Sequence, residues 1–206
     1  CFYLIMNLIK MNKISFRQIK NLFSLPLDQL ILKAQKVHKE NFDIGDVQLA
    51  SLISIKTGSC PEDCKYCPQS AHYNVNLKKE NLINISEVKK AAKLAKKNGA
   101  QRFCMGAAWK KLRDGNDLNS VVEMIKEVKS LDLEACVTLG SITPYQAEKL
   151  KVAGLDAYNH NIDTSPAYYK KIISTRTFDE RLETIQNVRK AGISVCSGGI
   201  IGMGET

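Results

Sequence analysis

No glycine-rich phosphate loop of the Walker or dinucleotide type occurs in these 206 residues. Gly198-Gly199 and Gly202-x-Gly204 are too sparse to cradle a phosphate chain. An export signal is lacking as well. Phe2 to Ile9 is apolar, but no basic residue precedes it and no small-residue cleavage site follows. The same stretch is too short to span a membrane. With neither signal nor span, a cytoplasmic location is expected, and the seven cysteines read as metal ligands rather than disulfides. Acidic residues are in deficit, 21 against 30 Lys and Arg, for a net charge of +9. That excess does not indicate nucleic acid. No basic run is interleaved with aromatics, and no helix-turn-helix or RNA-binding signature is present. Lys89, Lys90, Lys93, Lys96, Lys97, Lys126 and Lys129 instead fall on the polar faces of expected helices, where they are solvated.

The most informative segment is Gly58-Ser-Cys-Pro-Glu-Asp-Cys-Lys-Tyr-Cys-Pro-Gln-Ser70. Cys60, Cys64 and Cys67 are spaced C-x3-C-x2-C, and no fourth cysteine lies nearby. Three thiolates can hold three corners of a four-iron cluster and leave one iron open to bind and activate a small molecule. Other readings of the triplet stand beside this one. His72 can complete a Cys3His zinc tetrahedron. A bacterial ferredoxin run also ends in Cys-Pro, but it uses four cysteines at different spacings. A thioredoxin-like Cys64-x-x-Cys67 leaves Cys60 without a role.

Hydrophobic pattern and capping signals predict alternating strands and helices. Strands are expected at Leu49–Lys56, Arg102–Ala107, Glu134–Leu139, Ala157–Asp163 and Ile193–Ile200. A helix capped by Ser86 is expected over Glu87–Asn98, and a second over Leu118–Ser130. Capping boxes at Thr143-Pro-Tyr-Gln146 and Thr177-Phe-Asp-Glu180 open two more, and Ser165-Pro166 opens a short one. This rhythm implies parallel pairing through right-handed crossovers. The expected fold is α/β: a TIM-type (β/α) barrel, with about five of the eight β/α units of that architecture present. A doubly wound open sheet is the alternative. Residues 49–206 form the incomplete barrel in this reading. Residues 14–48 form an N-terminal helical cap, with a capping box at Ser15-Phe-Arg-Gln18 and a helix over Leu27–Asn41. His38 on that helix reads as a surface or packing residue. Residues 1–13 are expected to be an irregular or non-native tail, with Met6 and Met11 as possible starts, and Gly202 to Thr206 reads as a truncation.

In such a barrel, function collects at the C-terminal ends of the strands. The cysteine triplet follows the first expected strand. Cys104, Cys136 and Cys196 lie in the second, third and fifth. One such cysteine is ordinarily a small buried hydrophobe, but three at one level of a barrel can converge on a second metal centre. On the fourth strand Asn159, Asn161 and Asp163 are spaced to share a face. Leaving such groups unpaired in an interior costs on the order of 1–3 kcal/mol each, so they call for a polar ligand such as a ribose diol or a urea-like ring.

Five blocks together carry a resemblance: Ser54 to Ser70, Arg102-Phe-Cys-Met-Gly-Ala-Ala-Trp109, Glu134-Ala-Cys-Val-Thr-Leu-Gly140, Tyr158-Asn-His-Asn-Ile-Asp-Thr-Ser-Pro166 and Val195-Cys-Ser-Gly-Gly199. On these, the chain resembles the biotin synthase family of radical S-adenosylmethionine enzymes over about residues 14–206. The resemblance implies that Cys60, Cys64 and Cys67 hold a [4Fe–4S] cluster whose open iron binds S-adenosylmethionine, giving a 5′-deoxyadenosyl radical. It implies that Cys104, Cys136 and Cys196 hold a [2Fe–2S] cluster, the source of the sulfur inserted into dethiobiotin, in the last step of biotin biosynthesis. Tyr66 is expected against the adenine, and Asn161 and Asp163 at the ribose. Asn159 and Asn161 are expected at the ureido ring of the substrate. Arg181, with Arg176 as the alternative, is expected at the cofactor carboxylate. An electron donor such as flavodoxin or ferredoxin and a homodimer are implied in the same way, with no nucleic acid and no membrane partner. The family's arginine ligand to the second cluster and a further substrate asparagine fall beyond Thr206, so this stretch alone is expected to be inactive. A lipoyl-synthase-like sulfurtransferase needs a second N-terminal cysteine triplet, and residues 2–59 contain no cysteine. A zinc-stabilised basic binding module is the non-catalytic alternative.

Overall fold

The computed structural model describes residues 14–43 and 45–206. The expected tail, with Cys1, Met6 and Met11, lies outside them. The chain divides after Val47 into two compact units. The first contains helix α1 (Phe16–Phe23) and helix α2 (Leu27–Asn41). Ser15 caps α1 through the expected box: its Oγ accepts from Gln18 N at 3.3 Å, and its own N–H donates to Gln18 Oε1 at 2.7 Å. Asp28 in the first turn of α2 and Lys39 in its last complement the helix dipole. His38 stacks on Phe42, with ring centroids 5.5 Å apart.

The second unit alternates strands and helices in chain order: β1 (Ala50–Lys56), α3 (Ile85–Lys97), β2 (Arg102–Ala107), α4 (Asn116–Lys129), β3 (Glu134–Thr138) and α5 (Pro144–Val152). They continue with β4 (Ala157–Asn159), the short α6 (Tyr169–Ile172), α7 (Phe178–Lys190) and β5 (Ser194–Cys196). All neighbouring strands pair in parallel, in the order β1-β2-β3-β4-β5. This order decides between the two expected architectures. A doubly wound sheet reverses its strand order at a switch point, whereas a barrel adds each new strand on the same side through right-handed crossovers. The sheet is therefore a five-stranded arc of a TIM-type barrel, with β1 and β5 as its edges.

The two faces of the arc differ. Ile55, Phe103, Met105, Ala135, Val137 and Tyr158 point outwards and are buried with the apolar stripes of the covering helices, among them Val88 and Ala92 of α3, Val121, Met124 and Ile125 of α4, and Leu150 of α5. Each large side chain in this layer contributes about 1.5–3 kcal/mol by leaving water. The alternate residues face the barrel interior. Leu52 there is 71% exposed, and Ser54 and Cys196 are exposed as well. Gly140, just after β3, is held at φ +77°, and a Cβ there would meet the carbonyl oxygens of Trp109 and Lys110 at 2.4 Å. Only glycine allows that approach, and it places the Gly140 carbonyl to accept from the Tyr158 hydroxyl at 2.8 Å.

Several boundaries differ from expectation. Helix α3 starts earlier because Asn84, not Ser86, is its cap: Asn84 N donates to Glu87 Oε2 at 3.0 Å, which puts Ser86 inside the first turn. Ser165-Pro166 opens no helix, since α6 starts at Tyr169. Strands β4 and β5 are each three residues long. Beyond them the chains stay linked by less regular hydrogen bonds, from Ile162 N to Gly198 O at 3.0 Å and from Ile200 N to Asp163 O at 2.8 Å. Gly198-Gly199 and the left-handed Asp163 (φ +67°) break the regular ladder.

Candidate metal and cofactor site

The cysteine triplet occupies the loop after β1. Two consecutive left-handed residues, Gly58 (φ +71°) and Ser59 (φ +55°), turn the chain out of the strand. Lys56 ties the turn together, reaching the Gly58 carbonyl and, at 3.0 Å, the Ala108 carbonyl. The loop closes on itself through Cys60 N to Gln69 O (2.9 Å), Ala71 N to Cys60 O (2.8 Å) and Cys67 N to Cys64 O (3.0 Å). Cys60 and Cys64 are buried and Cys67 is half-buried. Burial pushes the Cys60 thiol up, and it pushes Cys64 up to about 12, with Asp163 and Glu62 adding to the rise at Cys64. Thiols in such a setting ionise only beside a strongly positive centre, as metal ligands do.

Among the described residues no group of three or more His, Cys, Asp or Glu side chains is placed to hold a metal ion. Tetrahedral zinc draws its sulfurs within about 2.3 Å of a single ion, whereas a multi-iron cluster takes each thiolate on a different iron. His72 lies at the surface with Nε2 3.2 Å from the Pro61 carbonyl oxygen, so its ring is already engaged.

Sheet register assembles the second set of thiols. Cys104 and Cys136 are direct partners on β2 and β3, and Cys196 on β5 pairs with Asn159 on β4. The two thiols act on each other. This lowers the pKa of Cys104, with further help from Arg102, and raises that of Cys136, which is also buried. Cys196 lies close enough to Cys136 to raise it further. Cys104 and Cys136 thus sit side by side on the inner face, with Cys196 near enough to act on Cys136.

The regular strand ends at Asn159, so Asn161 and Asp163 of the polar row lie on its less regular continuation. Asn161 is exposed and its Oδ1 accepts from Gly198 N at 3.1 Å. The left-handed backbone turns the Asp163 side chain inwards, where it is 3% exposed. Its carboxylate accepts from the Tyr66 hydroxyl and pairs with Arg181 at 2.7 Å. Burial raises the pKa of Asp163 against the opposing pull of Arg181. Arg181 also donates to the Tyr169 hydroxyl at 2.9 Å. Arg176 lies elsewhere, buried beside Glu62 (3.4 Å) and donating to the Lys110 carbonyl. Among the described residues the buried Asn159 Oδ1 and His160 Nε2 have no hydrogen-bond partner. The Asn159 atom, on the inner face, suits a polar ligand entering from the barrel mouth.

Glu62 and Asp63, the residues between the first two loop thiols, carry much of the local bonding, and the sequence reading assigns them no role. Two carboxylates set between the loop thiols of a basic chain are the signal that calls for dedicated partners. They find them in Ser174, Thr175 and Arg176.

The sequence pattern of the Radical SAM superfamily matches residues 54–206. The chain is 57% identical over 192 residues to a biotin synthase of Hahella chejuensis (strain KCTC 2396), covering 93% of this chain and 54% of that protein. It is 57% identical over 188 residues to a biotin synthase of Coxiella burnetii (strain Dugway 5J108-111), covering 91% and 58%. The chain therefore spans little more than half the length of these curated relatives. Its fold is similar to that of methylornithine synthase (PylB), with a TM-score of 0.78 at 21% identity over 93% of this chain and 57% of that one. A loop that presents three thiols after the first strand of a parallel barrel, together with a family match over most of the chain, places the protein in the Radical SAM superfamily.

Proposed function

We propose that the intact protein spanned by this chain is a biotin synthase, inserting sulfur into dethiobiotin with S-adenosylmethionine as the radical source. The observation that supports this best is the second thiol set. A radical enzyme with one cluster has no need of Cys104, Cys136 and Cys196 on one inner face, whereas a sulfur-inserting enzyme needs a second centre. The identity to biotin synthases supports the same reading. In it, Cys60, Cys64 and Cys67 hold a [4Fe–4S] cluster and the strand set holds a [2Fe–2S] cluster. When bound, the first supplies the electron that cleaves the sulfonium, and the second supplies the sulfur.

The chain's own residues bind, orient and shield. Asp163 at the ribose and Asn159 and Asn161 at the ureido ring offer acceptors and donors at the C-terminal end of β4. Arg181 is placed to meet a carboxylate, since it already holds that of Asp163. Tyr66 stands beside Asp163, where its ring can cover a bound adenine. The helix-covered outer face keeps water from the back of the sheet. In the same reading residues 14–48 are a helical segment preceding the barrel, the protein is a cytoplasmic homodimer, and a flavodoxin or ferredoxin supplies electrons. Among the described residues no helix is long and apolar enough to cross a membrane.

The test is anaerobic reconstitution of the full-length protein with iron and sulfide. Iron and sulfide are assayed, the EPR spectrum of the reduced state is recorded with and without S-adenosylmethionine, and dethiobiotin is then added. A cubane signal that changes with the cofactor, followed by biotin formation, is the expected result. Stoichiometric zinc without sulfide would return the chain to a basic binding module. A cofactor response without biotin would leave a different radical enzyme.

A further inference from the structure

The peptide between the first two loop thiols is held from outside the loop by one short segment. Residues 172–176, from the last residue of α6 towards α7, contribute nearly every partner. The Asp63 carboxylate accepts from Ser174 N at 2.9 Å, Thr175 N at 3.1 Å, Thr175 Oγ1 at 2.9 Å and the Ser174 hydroxyl. Asp63 N donates back to Thr175 Oγ1 at 3.1 Å, and Lys65 N donates to Ile172 O at 3.2 Å. The Asp63 carbonyl accepts from the Tyr73 hydroxyl at 2.6 Å. Glu62, buried at 4% exposure, lies 3.4 Å from Arg176 and 3.6 Å from Lys110, and its Oε2 is 3.0 Å from Thr175 Oγ1.

The hydrogen-bond pattern identifies the contribution of the two carboxylates as shape. Both backbone N–H groups at the start of the 174–176 segment point at one carboxylate. The loop backbone on either side of Cys64 bonds to the same segment. None of these bonds involves a thiol, so the clamp is complete without iron.

We propose that Asp63, gripped by Ser174 and Thr175, is a positioning residue that holds the C-x3-C loop in its metal-binding shape before any metal arrives and slows the loss of metal afterwards. This rests on the reading that the loop thiols hold a cluster, but the clamp itself is also testable in the iron-free protein. Outer-shell partners of metal ligands typically govern affinity by about 10- to 100-fold.

The experiment compares wild type, Asp63→Asn and Asp63→Ala in the full-length protein. It measures tryptic cleavage after the exposed Lys65 in the iron-free form, iron release to a chelator in the reconstituted form, and the thermal midpoint of each. For Asp63→Ala, cleavage and iron release are both expected to rise by about 10- to 100-fold with the thermal midpoint unchanged. Asp63→Asn should fall between, because its amide oxygen still accepts from Ser174 N and Thr175 N. Unchanged cleavage in Asp63→Ala, or changes that merely track a falling midpoint, would overturn the clamp. A wild type that takes up no iron would overturn the cluster reading instead, while the cleavage arm still decides the clamp.

Discussion

The two thiol sets of this barrel are built by opposite means. Cys60, Cys64 and Cys67 lie within eight residues of one another, and a loop that bonds to itself and to residues 172–176 holds them. Cys104, Cys136 and Cys196 come from three strands, and nothing local holds them together. Their meeting depends on the β2–β3 register and on the helices that press the sheet into its arc. The first set is a local structure carried on a scaffold, and the second is a property of the scaffold. The loop set can therefore loosen while the barrel stays folded, whereas the strand set can come apart only with the core.

Perturbing the core should separate the two most strongly. Ile125, fully buried on α4, is expected to cost about 2–5 kcal/mol as Ile125→Ala. In a urea titration, labelling of Cys136 should then follow global unfolding. Early labelling of Cys136, before the sheet unfolds, would show that the strand set is not core-held. Acid is the next lever. Burial, with Arg181 and Arg176, lowers the pKa of His160 to about 3, so the folded state keeps its ring neutral. The unfolded chain binds a proton near pH 6.5, about where free histidine titrates. Stability is thus full above that value and falls as pH drops towards the folded pKa, by about 2 kcal/mol at pH 5. His160→Gln should flatten this acid limb in thermal melts across pH, and an unchanged limb would place the acid sensitivity elsewhere.

A smaller effect is expected at the foot of the paired strands. Arg102 donates to Glu134 Oε2 from Nε at 2.9 Å and from Nη2 at 2.7 Å, two residues before Cys104 and Cys136. Glu134→Gln should cost up to about 1 kcal/mol and leave the two thiols paired, as judged by their unequal labelling rates. Equalised rates would mean that this ion pair, rather than the core, fixes the register. The Arg113–Asp117 pair at the start of α4 serves as the baseline. Arg113→Ala should change stability by no more than about 0.5 kcal/mol and alter neither set.

Much of this was legible in the chain because it is local. The capping boxes at Ser15, Thr143 and Thr177 form as their spacing predicts, since each is made by residues three apart. The thiol triplet needs only its spacing to be recognised. The reading was least complete where distant residues compete with a local pattern. The strand expected to run to Asp163 ends at Asn159, and Arg181 and Tyr66 bind the Asp163 carboxylate beyond it. Glu62 and Asp63 were assigned no role, because their partners Ser174, Thr175 and Arg176 lie more than a hundred residues away.

The sequence by itself determined the alternation of strands and helices, the thiol spacing and the superfamily, because periodicity, capping and spacing are short-range properties. Only the tertiary structure decided that the strands wind in one direction into a barrel arc rather than a doubly wound sheet. It alone placed Cys104 against Cys136, buried Asp163 against Arg181, and brought residues 172–176 onto the cysteine loop. Each of these depends on which distant surfaces pack together, and the burial of the helix-covered face settles that for the molecule as a whole.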